Sequence, residues 1–382
     1  MTVPDPIYLD HNASTPLCAA ARAAMLPLLD DAFGNPSSGH WAGRPARGAV
    51  ERARAEVAAL LGAEPDEIIF TSGGSEGNNA ALAGLWRTRG GPGGRIIVSA
   101  VEHPAVVEPC RRLAREGARV VALPVDARGL VDPADLAREL ARGDGAVALV
   151  SVMHANNETG ALQPVAALAR LAHAAGALFH TDAAQSCGKV PVGVDSLGVD
   201  LLSLAGHKLY GPKGIGALYV RRGTPWTPLI LGAAHEGGRR AGTESALLCA
   251  GLGAAAVAAA ATLPDREAVR RLRDALWDRL RAALGDDVVL LGPRVERLPN
   301  TLYVGFRGHF GGDLLARCPE LAASTGAACH DGGRKLSATL RAMGVPPEVG
   351  LGAVRLSLGR DNTAEEVARA AEMLIAAAGA ER

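Results

Sequence analysis

The sequence predicts an α/β fold in which a mainly parallel sheet has helices on both faces, accompanied by a smaller α+β domain. Three observations lead to this prediction. Short apolar runs alternate with segments whose apolar residues recur at helical spacing. This texture changes after about Pro264, where a long charged segment begins. Finally, a chain of 382 residues that is 48% hydrophobic can bury one large core and still form a second, smaller unit.

The strand candidates of the sheet are five apolar runs whose continuous hydrophobicity is typical of strands covered on both faces. They are EIIF at residues 67–70, RIIVSA at 95–100, VALVSVMHA at 147–155, ALFHTDAA at 177–184 and DLLSLAG at 200–206. Segments such as 51–61 and 164–175 have the apolar spacing of helices. Because strands alternate with helices, we expect parallel pairing and a ligand site at the carboxyl ends of the strands.

The second unit contains a charged helix, two short strand candidates (DVVLL and TLYVGF), a further strand and a closing helix. These elements lie at residues 265–284, 287–291, 301–306, 353–357 and 363–378. We expect a large domain of residues 15–263 and a small domain formed by residues 1–14 together with 264–382. A site between two packed domains is the simplest arrangement.

Bulk properties exclude several function classes. Forty basic and forty acidic residues give a formal net charge of zero, so no overall field attracts nucleic acid or an anionic membrane. The first residues lack the basic and apolar segments of a targeting signal, and a cytoplasmic protein is expected. An uncharged stretch at residues 246–263 is long enough to span a membrane, but alanine dominates it, which favours a buried helix.

The cysteine pattern argues against a disulfide framework and against a metal site. No CxxC pair and no paired Cys/His blocks at zinc spacing occur in the sequence. We expect most of the cysteines to be reduced, buried and small hydrophobic residues. The six are Cys18, Cys110, Cys187, Cys249, Cys318 and Cys329.

A glycine-rich motif, TSGGSEGNN at residues 71–79, directly follows the strand candidate EIIF. Its small residues would let backbone N–H groups approach a phosphate at a helix amino terminus, with the Ser75 hydroxyl as a further donor. The alternative is an ordinary turn between a strand and a helix.

Two charged residues stand out at the ends of later strand candidates. Lys208 lies in SLAGHKLYGPKGIGALYV, where burial could lower its pKa and allow a Schiff base with an aldehyde; a surface lysine is the alternative. Asp182, in FHTDAAQS, would need a cation or a protonated ring nitrogen if it were buried; a helix cap is the alternative. A phosphate cradle, a strand-end aspartate and a lysine after the next strand are together what pyridoxal phosphate requires.

The chain resembles the cysteine desulfurase and selenocysteine lyase branch of the class V aminotransferase family over nearly its full length. Eleven blocks in family order carry the resemblance: YLDHNASTP, GNPSS, FTSGGSE, VEHPAV, HANNETG, HTDAAQ, GHKLYGPKG, RAGTE, LPNT, STGAAC and RLSLGR. The resemblance implies a fold-type I pyridoxal-phosphate transferase with a seven-stranded-type sheet. It also implies a homodimer that acts on a small amino acid.

The resemblance implies roles for five residues around the cofactor ring. Lys208 would bind the cofactor aldehyde covalently and later act as a base. Asp182 would pair with the ring nitrogen and keep it protonated, so that the ring accepts electrons. His103 would stack on the ring face, and Asn157 and Gln185 would address the ring hydroxyl.

The remaining site residues implied by the resemblance contact the phosphate or the substrate. Gly74, Ser75 and His207 would hold the phosphate, and Thr243 would reach the phosphate in the neighbouring subunit's site. Arg355 would clamp the substrate carboxylate in a bidentate manner, with Asn157 also on the substrate side.

Cys329 lies in ASTGAACHDGGRKLS, 26 residues before Arg355 and beside His330, which could lower its pKa. The resemblance implies that its thiolate attacks the sulfur of L-cysteine, so that a persulfide forms on the enzyme and L-alanine is released. With L-selenocysteine, Cys329 could instead donate only a proton. A buried structural cysteine is the alternative.

The blocks leave the substrate and the reaction partly open. Ala205 replaces the phosphate-binding serine that is usual in cysteine desulfurases, and GAAHEGG replaces the more usual run of glycines. Ala205 and GAACH are more similar to selenocysteine lyases. The acceptor protein for sulfur or selenium is not identified by the sequence. Another pyridoxal-phosphate reaction, by a β-lyase or a transaminase, is the alternative, whereas the presence of Lys208, Asp182 and Arg355 disfavours a non-enzymatic sulfur-relay scaffold.

Overall fold

The computed structural model describes residues 5–143, 145–326 and 335–379. Its strands and helices, numbered in chain order, are β1 (Ile7–Tyr8), α1 (Ala19–Met25), α2 (Gly43–Leu61), β2 (Ile68–Thr71), α3 (Gly74–Leu85), β3 (Arg95–Ser99), α4 (Pro104–Arg115), β4 (Arg119–Leu123), α5 (Pro133–Leu140), β5 (Val147–Ser151), α6 (Val165–Ala174), β6 (Leu178–Asp182), α7 (Val194–Leu197), β7 (Leu201–Ala205), β8 (Gly216–Val220), α8 (Ala246–Thr262), α9 (Arg266–Leu284), β9 (Val288–Leu290), β10 (Thr301–Phe306), α10 (Gly311–Ala316), β11 (Leu321–Ala322), α11 (Ala338–Ala342), α12 (Pro347–Gly350), β12 (Ala353–Ser357) and α13 (Ala364–Gly379).

The largest sheet has seven strands in the order β2-β8-β7-β6-β5-β3-β4. Strand β8 is antiparallel to β2 and β7, and the other neighbouring pairs are parallel. The predicted mainly parallel sheet is therefore confirmed. Two of its strands, β4 and β8, were not predicted: β4 is a partly exposed edge strand, and β8 directly follows the glycine-rich segment after the lysine motif.

Helices cover both faces of this sheet, because successive strand residues point to opposite sides. Ile68 and Phe70 belong to the core beneath α2, α6 and α8, whereas Ile69 belongs to the core beneath α3 and α4. This arrangement leaves the carboxyl ends of the strands as the place where side chains and loops can form a site.

Helix α8 contains the uncharged stretch that passes a length and composition test for a membrane span, within the helical segment Ala246–Asp287. Residues of α8 such as Leu252 and Ala256 are buried in the same core as α2. A side chain at Gly253 would come within 2.7 Å of the Ala53 Cα, so the two helices approach closely. The packing is that of the core helix that the sequence predicted.

The second unit is built on a three-stranded antiparallel sheet in the order β12-β10-β9, which packs with α9 and α13 around its own core. The amino-terminal segment joins this unit: β1 pairs with β11, and Asp10 bridges to Ser357. The domain limits themselves stay a prediction. The five described cysteines are free and buried, as expected; Cys329 lies outside the described residues.

Candidate active site

The strand ends of the seven-stranded sheet open onto a pocket of about 1120 Å³ that also contacts the second unit. Strands β6 and β7 are parallel neighbours, so Asp182 at the end of β6 and Lys208 just after β7 lie at the same edge of the sheet. Nine predicted site residues line this pocket: Gly74, Ser75, His103, Asn157, Asp182, Gln185, His207, Lys208 and Arg355.

The Asp182 carboxylate is held in a fixed orientation on the pocket floor. Its Oδ2 accepts a hydrogen bond from the Asn78 side chain at 2.7 Å, and its Oδ1 accepts one from the Ala184 backbone N–H at 2.9 Å. The residue is only 7% exposed. Because both donors are neutral, neither of them compensates the carboxylate, and a cationic group in the pocket would be a suitable partner for it.

The Lys208 amine lies on the other side of the floor. Its Nζ donates hydrogen bonds to the backbone carbonyls of Asn12 and Ala13, the second at 2.9 Å. Burial and, to a lesser extent, the Arg355 guanidinium lower the pKa of Lys208 to about 8, against the opposing effect of Asp182. A larger fraction of this amine is therefore neutral and nucleophilic near neutral pH than for an exposed lysine.

Helix α3 begins at Gly74, directly after β2, and its amino terminus faces the pocket. Gly73 has φ +151°, a backbone conformation that favours glycine. The N–H groups of the first helical turn have no partner within the helix and can bind an anion. Ala205 borders this cradle, because a Cβ placed at Gly74 would lie 3.4 Å from the Ala205 Cβ.

Two imidazoles line the pocket beside these groups. His103 caps α4, and its Nδ1 accepts a hydrogen bond from the Ala105 N–H at 3.1 Å. Partial burial lowers the pKa of His103, and burial with the nearby Lys208 lowers the pKa of His207 to about 4. Both rings are therefore neutral at pH 7, and His103, with its Nδ1 accepting, carries its proton on Nε2.

Arg355, on β12, forms the wall of the pocket that belongs to the second unit. Its guanidinium donates to the Asn157 carbonyl at 2.9 Å and to the Asp10 carboxylate at 2.7 Å. Its side chain is only 5% exposed, and its Nε is buried with no hydrogen-bond partner in the part of the chain that the structure describes. A buried, unpartnered guanidinium N–H beside the pocket is a donor for an anionic ligand group.

Of the two remaining predicted residues, Thr243 does not line this pocket and Cys329 is not among the described residues. Thr243 is exposed in the segment before α8, away from the pocket lining, and its expected partner was another subunit. Cys329 and its neighbour His330 lie outside the described residues. Gly326 and Ser337, which flank residues 327–334, do line the pocket.

Several pocket residues were missed by sequence reasoning. Asn78 follows Gly74 by one helical turn within the TSGGSEGNN motif, so helical periodicity would have placed it beside the cradle. Glu102 immediately precedes His103 and is buried. One of its carboxyl oxygens accepts hydrogen bonds from Ser99 and Met153, and the other has no partner within residues 5–143, 145–326 and 335–379. Asn12 has no local signal, because it reaches the pocket only through the tertiary fold.

The comparisons with known proteins agree with this geometry. Residues 7–370 match the family described as aminotransferase class-V. The chain is 44% identical to a protein named cysteine desulfurase IscS from Dictyoglomus turgidum, over 94% of this chain and 91% of that protein. It is 46% identical to a cysteine desulfurase from Cereibacter sphaeroides, over 96% and 94%.

The chain belongs to the class-V aminotransferase family. Solved structures agree: a NifS-like protein superposes with a TM-score of 0.90 at 34% identity, covering 97% of this chain and 98% of that one. A structure titled SspA in complex with cysteine gives 0.81 at 34% identity, covering 94% and 100%. The fold-type I architecture predicted from the sequence is confirmed.

Class-V aminotransferase enzymes use pyridoxal phosphate, and the pocket fits this cofactor. A lysine with a lowered pKa suits the aldehyde, the oriented Asp182 carboxylate suits the ring nitrogen, and the free N–H groups at the start of α3 suit the phosphate. The neutral His103 ring lines the same pocket and can cover a ring face. The chain is accordingly a pyridoxal-phosphate enzyme.

Proposed function

We propose that this chain is a cysteine desulfurase, which removes sulfur from L-cysteine and releases L-alanine. The observation that carries the proposal is the convergence of the Lys208 amine and the Asp182 carboxylate in one pocket. It is supported by relatives named cysteine desulfurase that match 94% or more of the chain.

The substrate is proposed to bind at the wall of the pocket that Arg355 forms. Arg355 offers a planar set of N–H donors that matches the α-carboxylate of an amino acid, with Asp10 and the Asn157 carbonyl fixing the orientation of the guanidinium. A bidentate clamp of this kind places the substrate amine and Cα toward Lys208.

Proton transfer is proposed for Lys208 and Asp182. When bound, pyridoxal phosphate holds the substrate amine covalently and accepts electron density from Cα. Lys208, with its pKa lowered to about 8, then removes the Cα proton as a neutral amine. Asp182 would keep a proton on the ring nitrogen, Gly74, Ser75 and His207 would hold the phosphate, and His103 would cover the ring.

Sulfur transfer is proposed for Cys329, which lies between the pocket-lining residues Gly326 and Ser337 in the sequence. Its thiolate forms an S–S bond to the substrate sulfur as the Cβ–S bond breaks. The electron pair of the broken bond stays with the alanine skeleton, which then takes up a proton. The persulfide on Cys329 can pass its terminal sulfur to a thiol of an acceptor protein.

Selenocysteine is the second candidate substrate, because Ala205 leaves the phosphate cradle without the serine that is usual in cysteine desulfurases. The names of the relatives favour cysteine. Measuring kcat/KM for both amino acids on the purified enzyme decides between them, since specificity is the ratio of these quantities.

A homodimer is proposed through one exposed apolar surface, formed by residues 26–41 and 230–243. Leu29, Phe33, Trp41 and Leu231 are each more than 60% exposed there, and Ser37 contacts His235, so the two segments adjoin. Exposed apolar groups of this size are typical of subunit interfaces. Association through this surface would bring Thr243 to the partner's phosphate. Trp41→Glu should convert the dimer to a monomer, as measured by sedimentation.

The function is tested by product analysis on the purified holoenzyme. We expect alanine with a persulfide or sulfide, whereas pyruvate and ammonia would identify a β-lyase. The Lys208→Ala variant should lose the visible absorbance of the bound cofactor after gel filtration and lose at least about 10³-fold in kcat/KM. In the Cys329→Ala variant, full cysteine desulfuration would contradict the nucleophile assignment.

A further inference from the structure

Lys189 is a second lysine close to the pocket that the proposed chemistry leaves without a role. It follows β6 by seven residues. Its Nζ donates hydrogen bonds to Gln185 Oε1 at 2.8 Å and to Asn12 Oδ1 at 3.0 Å. Burial lowers its pKa well below the ordinary value, with Lys208 and Arg355 adding to the lowering. Both acceptors belong to residues that border the cofactor pocket.

Two contacts determine which way the Gln185 amide points. The Asn12 backbone carbonyl can only accept, so it faces the amide nitrogen, and the protonated Lys189 amine can only donate, so it faces the amide oxygen. The amide nitrogen therefore lies on the other side, where one N–H donates to the Asn12 carbonyl at 2.8 Å. The second N–H has no partner among the described residues and is available to the pocket.

Asn12 holds the same arrangement from the opposite side. Its backbone carbonyl accepts from Gln185 and from Lys208, and its side-chain oxygen accepts from Lys189 and from Asn300 at 3.1 Å. Asn12 and Gln185 are only 1% and 6% exposed. Because every acceptor in this network faces a donor, the flipped amide would place two oxygens or two N–H groups against each other.

We propose that Lys189 is a positioning residue: it fixes the Gln185 amide so that an N–H, and not the oxygen, is presented to the pocket. The inference rests on the proposed function, in which Gln185 addresses the ring oxygen of pyridoxal phosphate. That oxygen carries negative charge and accepts hydrogen bonds, so a donor stabilises it and an amide oxygen repels it. Lys189 acts through Gln185 and does not touch the cofactor.

The test is the equilibrium affinity of the cofactor-free protein for pyridoxal phosphate, measured by absorbance titration. We expect Lys189→Met and Gln185→Ala each to weaken binding about tenfold, the loss of one hydrogen bond to a charged group. The double variant should bind within about threefold of the weaker single variant, because no amide remains to be misoriented. Losses that multiply to about 100-fold would show independent roles and overturn the proposal.

Two further variants separate positioning from structural damage. Lys189→Arg keeps a donor and should recover most of the affinity. Gln185→Glu keeps the contact with Lys189 but presents no amide N–H, so it should bind pyridoxal phosphate about tenfold more weakly. This variant tests the proposal even if Lys189→Met fails to fold. Wild-type affinity in Gln185→Glu would overturn the proposal. Arg222→Met, which removes an exposed cation paired with Asp66, is the matched control and should leave affinity unchanged.

The outcomes also distinguish this inference from the proposed function. If the wild-type protein did not bind pyridoxal phosphate, the proposed function itself would fail. If the wild type binds normally and Lys189→Met binds equally well, only the role of Lys189 is lost.

Discussion

The floor and the wall of the pocket are built in different ways. The floor consists of Gly74, Asp182 and Lys208, each at or next to the end of a strand in one sheet. The wall consists of Asp10, Asn12 and Arg355, and the ion pair between Asp10 and Arg355 joins residues 345 positions apart. The residues for cofactor chemistry are thus placed at strand ends of one sheet, whereas substrate recognition depends on the docking of remote segments.

The largest expected effect comes from the floor. Asp182→Asn keeps the shape of the side chain but removes the charge that holds a proton on the ring nitrogen, and kcat/KM should fall roughly 10²- to 10³-fold. Steady-state kinetics and the visible spectrum of the bound cofactor measure this. Asp195→Asn, at an exposed aspartate paired with Arg221, is the control and should change neither. A decrease in kcat/KM smaller than tenfold would contradict the proposed role of Asp182.

The second prediction tests whether the wall influences the floor. Arg355 lowers the pKa of Lys208, so Arg355→Gln should raise that pKa above its value of about 8. Covalent cofactor capture needs the neutral amine, so its rate rises with pH, and the midpoint of this rise should move to higher pH in the variant. Stopped-flow absorbance on cofactor-free protein gives the profile.

The same variant should raise KM for cysteine about tenfold or more through loss of the carboxylate clamp. A raised KM with an unchanged pH midpoint would mean that the wall binds substrate without tuning the lysine. A shifted pH midpoint with an unchanged KM would contradict the proposed role of Arg355 in substrate binding.

The smallest expected effect concerns Glu102, a second buried carboxyl group that lines the pocket. Burial raises its pKa to about 8, so the folded protein keeps a proton that the unfolded chain releases above about pH 4.5. The stability that this group contributes therefore falls as pH rises from about 5 to 8. As the pH rises from 6 to 8, the free energy of unfolding of Glu102→Gln should increase by about 1 to 2 kcal/mol relative to that of the wild type.

Denaturant unfolding of cofactor-free protein at both pH values measures this gain. A constant difference between variant and wild type would show that Glu102 is ionised in the folded protein. In that case its charge would oppose that of Asp182 across the floor.

The floor could be predicted from the sequence because its residues lie in local motifs at strand ends. Apolar runs gave β2, β6 and β7. Strands β6 and β7 pair in parallel, and β2 runs in the same direction on the other side of the antiparallel β8, so their carboxyl ends lie at one edge of the sheet. Asn78 and Glu102 were missed although each lies within such a motif, because only packing reveals which neighbour of a functional residue is buried. Asp10 and Asn12 could not be assigned contacts, since no local pattern relates them to Arg355 or Lys189.

The attachment of the amino-terminal segment has a consequence for biosynthesis. The Asn12 carbonyl contacts Lys208, and the backbone around it is held by bonds from His11 and Asn12 to Ser357. During translation, Asn12 is therefore made 345 residues before Ser357, to which it bonds. A ribosome-bound chain that lacks β12 also lacks the contacts that hold Asn12 beside Lys208, so the cofactor site is completed only after β12 has been made.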